Sequence, residues 1–84
     1  MPRFIVERTF DDPLEDAALQ ALMTRMGPCF EIYKVQWVRS NLSSDRKRMV
    51  CEYDAADAES VRSVQREAGA SFERVWSAHV FGTS

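Results

Sequence analysis

RFIVERTFDDPLE, residues 3–15, places a strand pattern directly before a helix start. From Phe4 to Phe10 the side chains alternate between two sides, which is typical of a strand. Asp12-Pro13-Leu14-Glu15 then combines an N-cap carboxylate, a proline at the first helical position and a glutamate three residues after the cap. The stretch therefore predicts a strand over residues 3–10 and a helix that begins at Asp12.

The rest of the chain continues this alternation of strands and helices. Apolar residues recur every four positions from Leu14 to Met26, and Gly27-Pro28 is predicted to end this first helix. The later elements are predicted as strands at Glu31–Leu42 and Met49–Asp54, a helix capped by Asp57 and ending at Gly69, and a strand at Phe72–Phe81.

The order β-α-β-β-α-β with short connections matches the split βαβ unit. The sequence therefore predicts an α+β fold of the ferredoxin-like kind, with a four-stranded antiparallel sheet and both helices on one face. We expect residues 1–84 to form a single such domain, since a chain of this length has room for one core. The other sheet face is left for water or for a partner.

Composition narrows the classes of function. The net charge of −2 gives no basic field for phosphates, so nucleic-acid binding is not expected. No apolar stretch approaches the ~20 residues that span a bilayer, so we expect no membrane insertion and a cytoplasmic location. Cys29 and Cys51 lack the spacing of a metal-binding motif, and we expect both thiols to be reduced in the cytoplasm. Cys51 is expected to be a core residue. If the protein is exported, the redox state of the two cysteines is left open.

Strand alternation also predicts which side chains share the open sheet face. The more apolar set is assigned to the helices: Phe4, Val6, Val35, Trp37, Met49, Cys51, Tyr53, Trp76, Ala78 and Val80. The complementary set is Ile5, Glu7, Thr9, Gln36, Val38, Ser40, Val50, Glu52, Val75, Ser77, His79 and Phe81.

Glu7, Glu52 and His79 fall in this second set on strands that are expected to be neighbours. Two carboxylates and the only histidine form a candidate site for a divalent cation, or a catalytic cluster for proton transfer. The alternative interpretation is an ordinary solvated polar face, because exposed antiparallel strands normally turn polar residues outward.

A second candidate is a ligand pocket between the sheet and the helices. Trp37, Tyr33 and Trp76 are the aromatic residues predicted to line it, and Arg39 could bind an anionic group. The same aromatics would serve equally well as core. Arg8 could likewise bind an anionic group, but strand-end arginines usually pair with nearby acids, here Asp11 or Asp12, at the surface.

Several short motifs occur from the first strand to the end of the second helix: Phe4-Ile5-Val6-Glu7-Arg8, Trp37-Val38-Arg39-Ser40, Ser44-Asp45, Cys51-Glu52-Tyr53-Asp54-Ala55, Glu59-Ser60-Val61-Arg62 and Ala68-Gly69. Together they resemble one bacterial family of domains of unknown function that includes a nickel-binding protein. The resemblance implies a ferredoxin-like fold and dimerisation. For at least one member of the family, it also implies a nickel ion that is bound largely by oxygen ligands and water.

Three functions of different classes are compatible with the sequence. The first is a homodimeric protein that binds a small molecule or a metal ion, with nickel as the candidate ion. The alternative is a cofactor-independent enzyme of the dimeric α+β barrel kind, which would act on a small hydrophobic substrate by acid/base chemistry. The third is a purely structural or regulatory partner of another protein. Fold alone does not choose among these functions.

Overall fold

The computed structural model describes residues 1–82, which fold in the predicted β-α-β-β-α-β order. The elements are β1 (Arg3–Thr9), α1 (Asp16–Tyr33), β2 (Gln36–Leu42), β3 (Arg48–Asp54), α2 (Ala58–Glu67) and β4 (Arg74–Ala78). The strands form one antiparallel sheet in the order β2-β3-β1-β4. The predicted ferredoxin-like architecture is therefore confirmed, with β2 and β4 at the edges.

The core lies between the helices and one face of the sheet. Phe4 and Val6 of β1 alternate with outward residues, so both side chains turn toward the helices. The buried apolar residues that β3 and the two helices contribute are Met49, Cys51 and Tyr53 from β3, Leu22, Met26 and Cys29 from α1, and Val61 and Val64 from α2. The core position of Cys51 is confirmed.

The start of α1 differs from the prediction. Asp12 does not cap the helix, which begins at Asp16 after Glu15. Residues 10–14 are instead tied to the β2–β3 hairpin, because Leu14 N–H donates to the Arg46 carbonyl at 2.8 Å. The Arg46 guanidinium in turn reaches the Leu14 carbonyl and Asp16, both at 2.6 Å. Tertiary hydrogen bonds have overridden the local capping signal.

The end of α1 also differs, because the helix continues through Pro28 to Tyr33. A proline inside a helix removes one backbone hydrogen bond. In return, the added turns bury Cys29 and place the ring centroids of Phe30 and Tyr53 5.8 Å apart. The helix stops at Lys34, which adopts a left-handed conformation and donates its N–H to the Phe30 carbonyl. Accordingly β2 begins only at Gln36, and Tyr33 is helical.

Predicted face assignments are wrong at both sheet edges. In β4 the register pairs Val6 with Val75 and Ile5 with Trp76, so Val75 points to the helices, whereas Trp76 and Ala78 point to the open face. In β2 a register shift between Trp37 and Arg39 moves the later residues by one position. Trp37 lies on the helix side of this edge strand and is 42% exposed, so its predicted burial is also wrong.

The same shift in β2 exchanges the faces of Ser40 and Arg39. Ser40 lies opposite Cys51 on the helix side and its hydroxyl contacts the Cys51 thiol at 3.1 Å. Arg39 lies opposite Glu52 on the open face. Within residues 1–82 none of the helices is long and apolar enough to cross a membrane.

Candidate functional site on the open sheet face

The site begins with three side chains that lie side by side across β3, β1 and β4. Glu52, Ile5 and Trp76 occupy adjacent positions in the register, and all three point away from the helices. Sequence alternation alone predicts this outward position for Ile5 and Glu52. It misplaced Trp76, because β4 has apolar residues at both parities.

Glu52 is held by cations from both neighbouring strands. Arg3 Nη1 lies 3.0 Å from Glu52 Oε1, and Arg39 Nε lies 2.6 Å from Oε2. The hydrogen bond from Arg39 is the main reason that the pKa of Glu52 lies below its usual value. Arg3 also donates to Asp54 Oδ1 at 2.9 Å. The result is a four-residue ion-pair network whose two positive and two negative charges balance.

Glu7 makes different contacts further along β1. Its Oε2 accepts a hydrogen bond of 2.7 Å from the indole nitrogen of Trp76 and lies 3.8 Å from Arg74 Nε. Trp76 is still 45% exposed, so the indole is fixed in orientation but remains accessible. Glu7 and Glu52 therefore share a face, and each is oriented by its own partners.

His79 follows the last residue of β4 and is exposed. It lies at the rim of an open cavity of about 530 Å³ on this face. The lining residues are Arg3, Ile5, Arg39, Glu52, Trp76, Ser77, Ala78, His79, Val80 and Phe81. The cavity brings together His79, Glu52, Arg39 and Trp76, four of the residues predicted to bind or react.

The predicted cluster of Glu7, Glu52 and His79 is not assembled within one chain. Across residues 1–82, no three His, Cys, Asp or Glu side chains lie close enough to hold a metal ion. Glu7 is beside Val50 in the register, whereas Glu52 is beside Ile5, and β4 ends before His79. The roles of these residues as ligands or catalysts remain predictions.

The predicted aromatic pocket is divided between two sides of the sheet. Tyr33 lies on α1 and donates a hydrogen bond of 3.2 Å to Glu67 near the end of α2. Trp37 bonds Ser40 at the β2 edge. Only Trp76 and Arg39 belong to the open-face cavity. Sequence reasoning did not single out Arg3, although it shares the parity of Ile5 and Glu7 on β1.

Comparisons with known proteins place the chain in a family. Residues 4–77 match the family model described as "Nickel responsive protein SCO4226-like". The crystal structure of SCO4226 from Streptomyces coelicolor A3(2) has the same fold, with a TM-score of 0.84 at 12% sequence identity; the match covers 95% of this chain and 99% of that one. No match to the chain is found among curated proteins. Because the family model covers most of the sequence, the chain belongs to the SCO4226-like family of nickel responsive proteins.

Proposed function

We propose that this protein is a homodimer that binds a divalent metal ion, nickel being the candidate, at the open faces of its two sheets. The observation that carries the proposal is the group of apolar side chains around His79. Trp76 and Val80 are each 45% exposed and Phe81 is 92% exposed. Such a patch favours contact with another protein surface, and an isologous dimer is the commonest arrangement.

Dimerisation would also supply the ligands that one chain lacks. No group of three donors forms within residues 1–82, whereas a two-fold axis beside His79 would add a second imidazole and further carboxylates. The family description, nickel responsive, supports nickel as the ion.

The available donors suit an ion that accepts nitrogen and oxygen. His79 is the only histidine of the chain and is exposed. Both cysteines are buried, so thiolate ligands are disfavoured. Glu7 is the best carboxylate candidate, because it accepts one hydrogen bond from the Trp76 indole and its salt bridge to Arg74 is long, at 3.8 Å. Glu52 would have to exchange its arginine partners for the metal.

Nickel binding tests the proposal directly. In calorimetric titrations of the full chain, His79→Ala should weaken binding about tenfold or more, because one nitrogen ligand per chain is lost. Glu7→Gln should weaken it less, and Glu52→Gln should have the smallest effect of the three. The matched control is Glu31→Gln, an exposed carboxylate on α1 that lies away from the face. Wild-type affinity in His79→Ala would overturn the assignment of the site.

The electrostatics of the face favour binding over acid/base catalysis. A general base works best when its pKa lies near the working pH. The pKa of Glu52 is moved downward, away from that range, by the arginines that hold it. Glu52 is thus better suited to fix the positions of Arg3 and Arg39 than to accept a proton from a substrate.

A further inference from the structure

Within residues 1–82, Arg8 is a buried cation without an acidic partner. It lies on β1 in phase with Val6, so its side chain enters the space between the sheet and the helices, where it is 3% exposed. Among the described residues, none of the salt bridges includes it. This corrects the expectation that Arg8 pairs with acids at the surface.

The groups around Arg8 are neutral. Its guanidinium donates to Gln65 Oε1 at 2.6 Å and to the Ser71 carbonyl at 3.1 Å, and it contacts the Cys51 sulfur at 4.0 Å. Two buried donors of this cluster, Arg8 Nε and Gln65 Nε2, have no hydrogen-bond partner in the described part of the chain. Buried charges are normally paired, and buried donors are normally satisfied. The cluster therefore holds a buried positive charge and two buried donors that no group within residues 1–82 satisfies.

A cavity of about 280 Å³ adjoins Arg8 on the helix side of the sheet. Its walls include Phe10, Leu14 and Leu22, and Ala18 and Ala21 line it from the exposed surface of α1. Arg25 is a second cation at this cavity and is oriented by its hydrogen bond of 2.9 Å to the Ala68 carbonyl. The size is close to the lower end of the ~300–1,000 Å³ range of small-molecule sites.

We propose that this cavity binds a small carboxylate with a short apolar tail. The carboxylate would pair with the guanidinium of Arg8, while the tail lies against Leu14 and Leu22. A carboxylate fits because it matches a guanidinium in geometry and charge, and the apolar walls favour a tail over a fully polar anion such as phosphate. The site is on the opposite side of the sheet from the proposed metal site and does not depend on it.

Hexanoate and hexanamide form the matched pair of probes, because they differ in charge and share the apolar chain. In thermal denaturation and calorimetric titration of the full chain, hexanoate should bind and raise the unfolding midpoint, whereas hexanamide and inorganic phosphate should do neither. Equal effects of hexanoate and hexanamide, stronger binding of phosphate, or no binding of hexanoate would each overturn the proposal.

Arg8→Met removes the charge and keeps an unbranched side chain. It should weaken hexanoate binding about tenfold or more, whereas Arg62→Met, on the outer surface of α2, should leave it unchanged. Should Arg8→Met fail to fold, Ala18→Phe provides the decisive variant, because it narrows the cavity from an exposed helix position and leaves Arg8 in place. Loss of hexanoate binding in folded Ala18→Phe supports the site, and wild-type binding there overturns it.

Discussion

Glu52 links the stability of the sheet to pH. Its pKa is lowered in the folded protein by the hydrogen bond from Arg39 and by Arg3. A group with a depressed folded-state pKa stabilises the fold above its unfolded pKa, and this contribution is lost as the pH falls through the folded value. The stabilisation is therefore fully present above about pH 4.5, the ordinary value for a glutamate, and is lost as the pH falls from there through the lowered folded-state pKa.

Replacing the carboxylate should remove that part of the acid sensitivity. We expect Glu52→Gln to be less stable than wild type at pH 6 and to lose less stability between about pH 5 and pH 3. Urea denaturation at several pH values measures both effects. The control Glu31→Gln should keep the wild-type slope, and a Glu52→Gln protein with that same slope would show that the pairing does not contribute.

Trp37 and Met26 provide a comparison between a large edge residue and a smaller core residue. Trp37 is 42% exposed at the β2 edge, whereas Met26 is buried in α1. Met26→Ala should cost about 2–5 kcal/mol in the free energy of unfolding, and Trp37→Ala less than about 2 kcal/mol. The denaturation midpoints of the two variants and of the wild type measure both losses in the free energy of unfolding. A larger loss for Trp37→Ala would contradict the described edge position.

At the scale of elements, α1 contains two residues that usually end helices. Gly27 has open space around the position of an added Cβ, while Gly69 follows α2 with a φ of +68°. Gly27→Ala should therefore stabilise the protein by about 1 kcal/mol, because alanine is the better helix former. Gly69→Ala should destabilise it by about 1 kcal/mol, since the left-handed conformation is costly for a residue with a Cβ. Thermal unfolding of both variants tests whether α1 extends through residue 27.

The elements also show where sequence reasoning succeeds. Asp57 was predictable as the cap of α2 because its signal is local, and its carboxylate accepts from the Ser60 N–H at 2.7 Å. Asp12 carries an equally good local signal, but hydrogen bonds to the distant Arg46 segment prevail. A capping signal can be identified from neighbouring residues in the sequence. Hydrogen bonds to distant residues that compete with it cannot.

The candidate site was predictable in part for the same reason. Ile5, Glu7 and Glu52 alternate cleanly on central strands, so their common face followed from parity. The face of Trp76 could not be predicted in this way, because residues 75–81 include apolar side chains at both odd and even positions. Only the pairing of Ile5 with Trp76 shows which of them point to the open face. Arg39 lies on the opposite face from the one that strict alternation predicts, because of a register shift in β2. The sequence of that strand gives no signal for the shift.

At the scale of the whole molecule, the two faces of the sheet differ in how they are completed. The helices cover one face and form the core. The other face has a balanced ion-pair network across β1, β2 and β3, and Trp76, Val80 and Phe81 are exposed. Our account holds that a second copy covers this face and completes the metal site beside His79.

Sedimentation velocity of the full chain at micromolar concentration tests this claim most directly. The account predicts a species of about 19 kDa, twice the chain mass of 9.6 kDa. Phe81→Asp should shift that species toward the monomer, because a charge would then have to be buried in the apolar contact, whereas Ile32→Asp, at an exposed position on α1, should leave it unchanged. A wild-type monomer at these concentrations, or a dimer that Phe81→Asp does not weaken, would contradict the account.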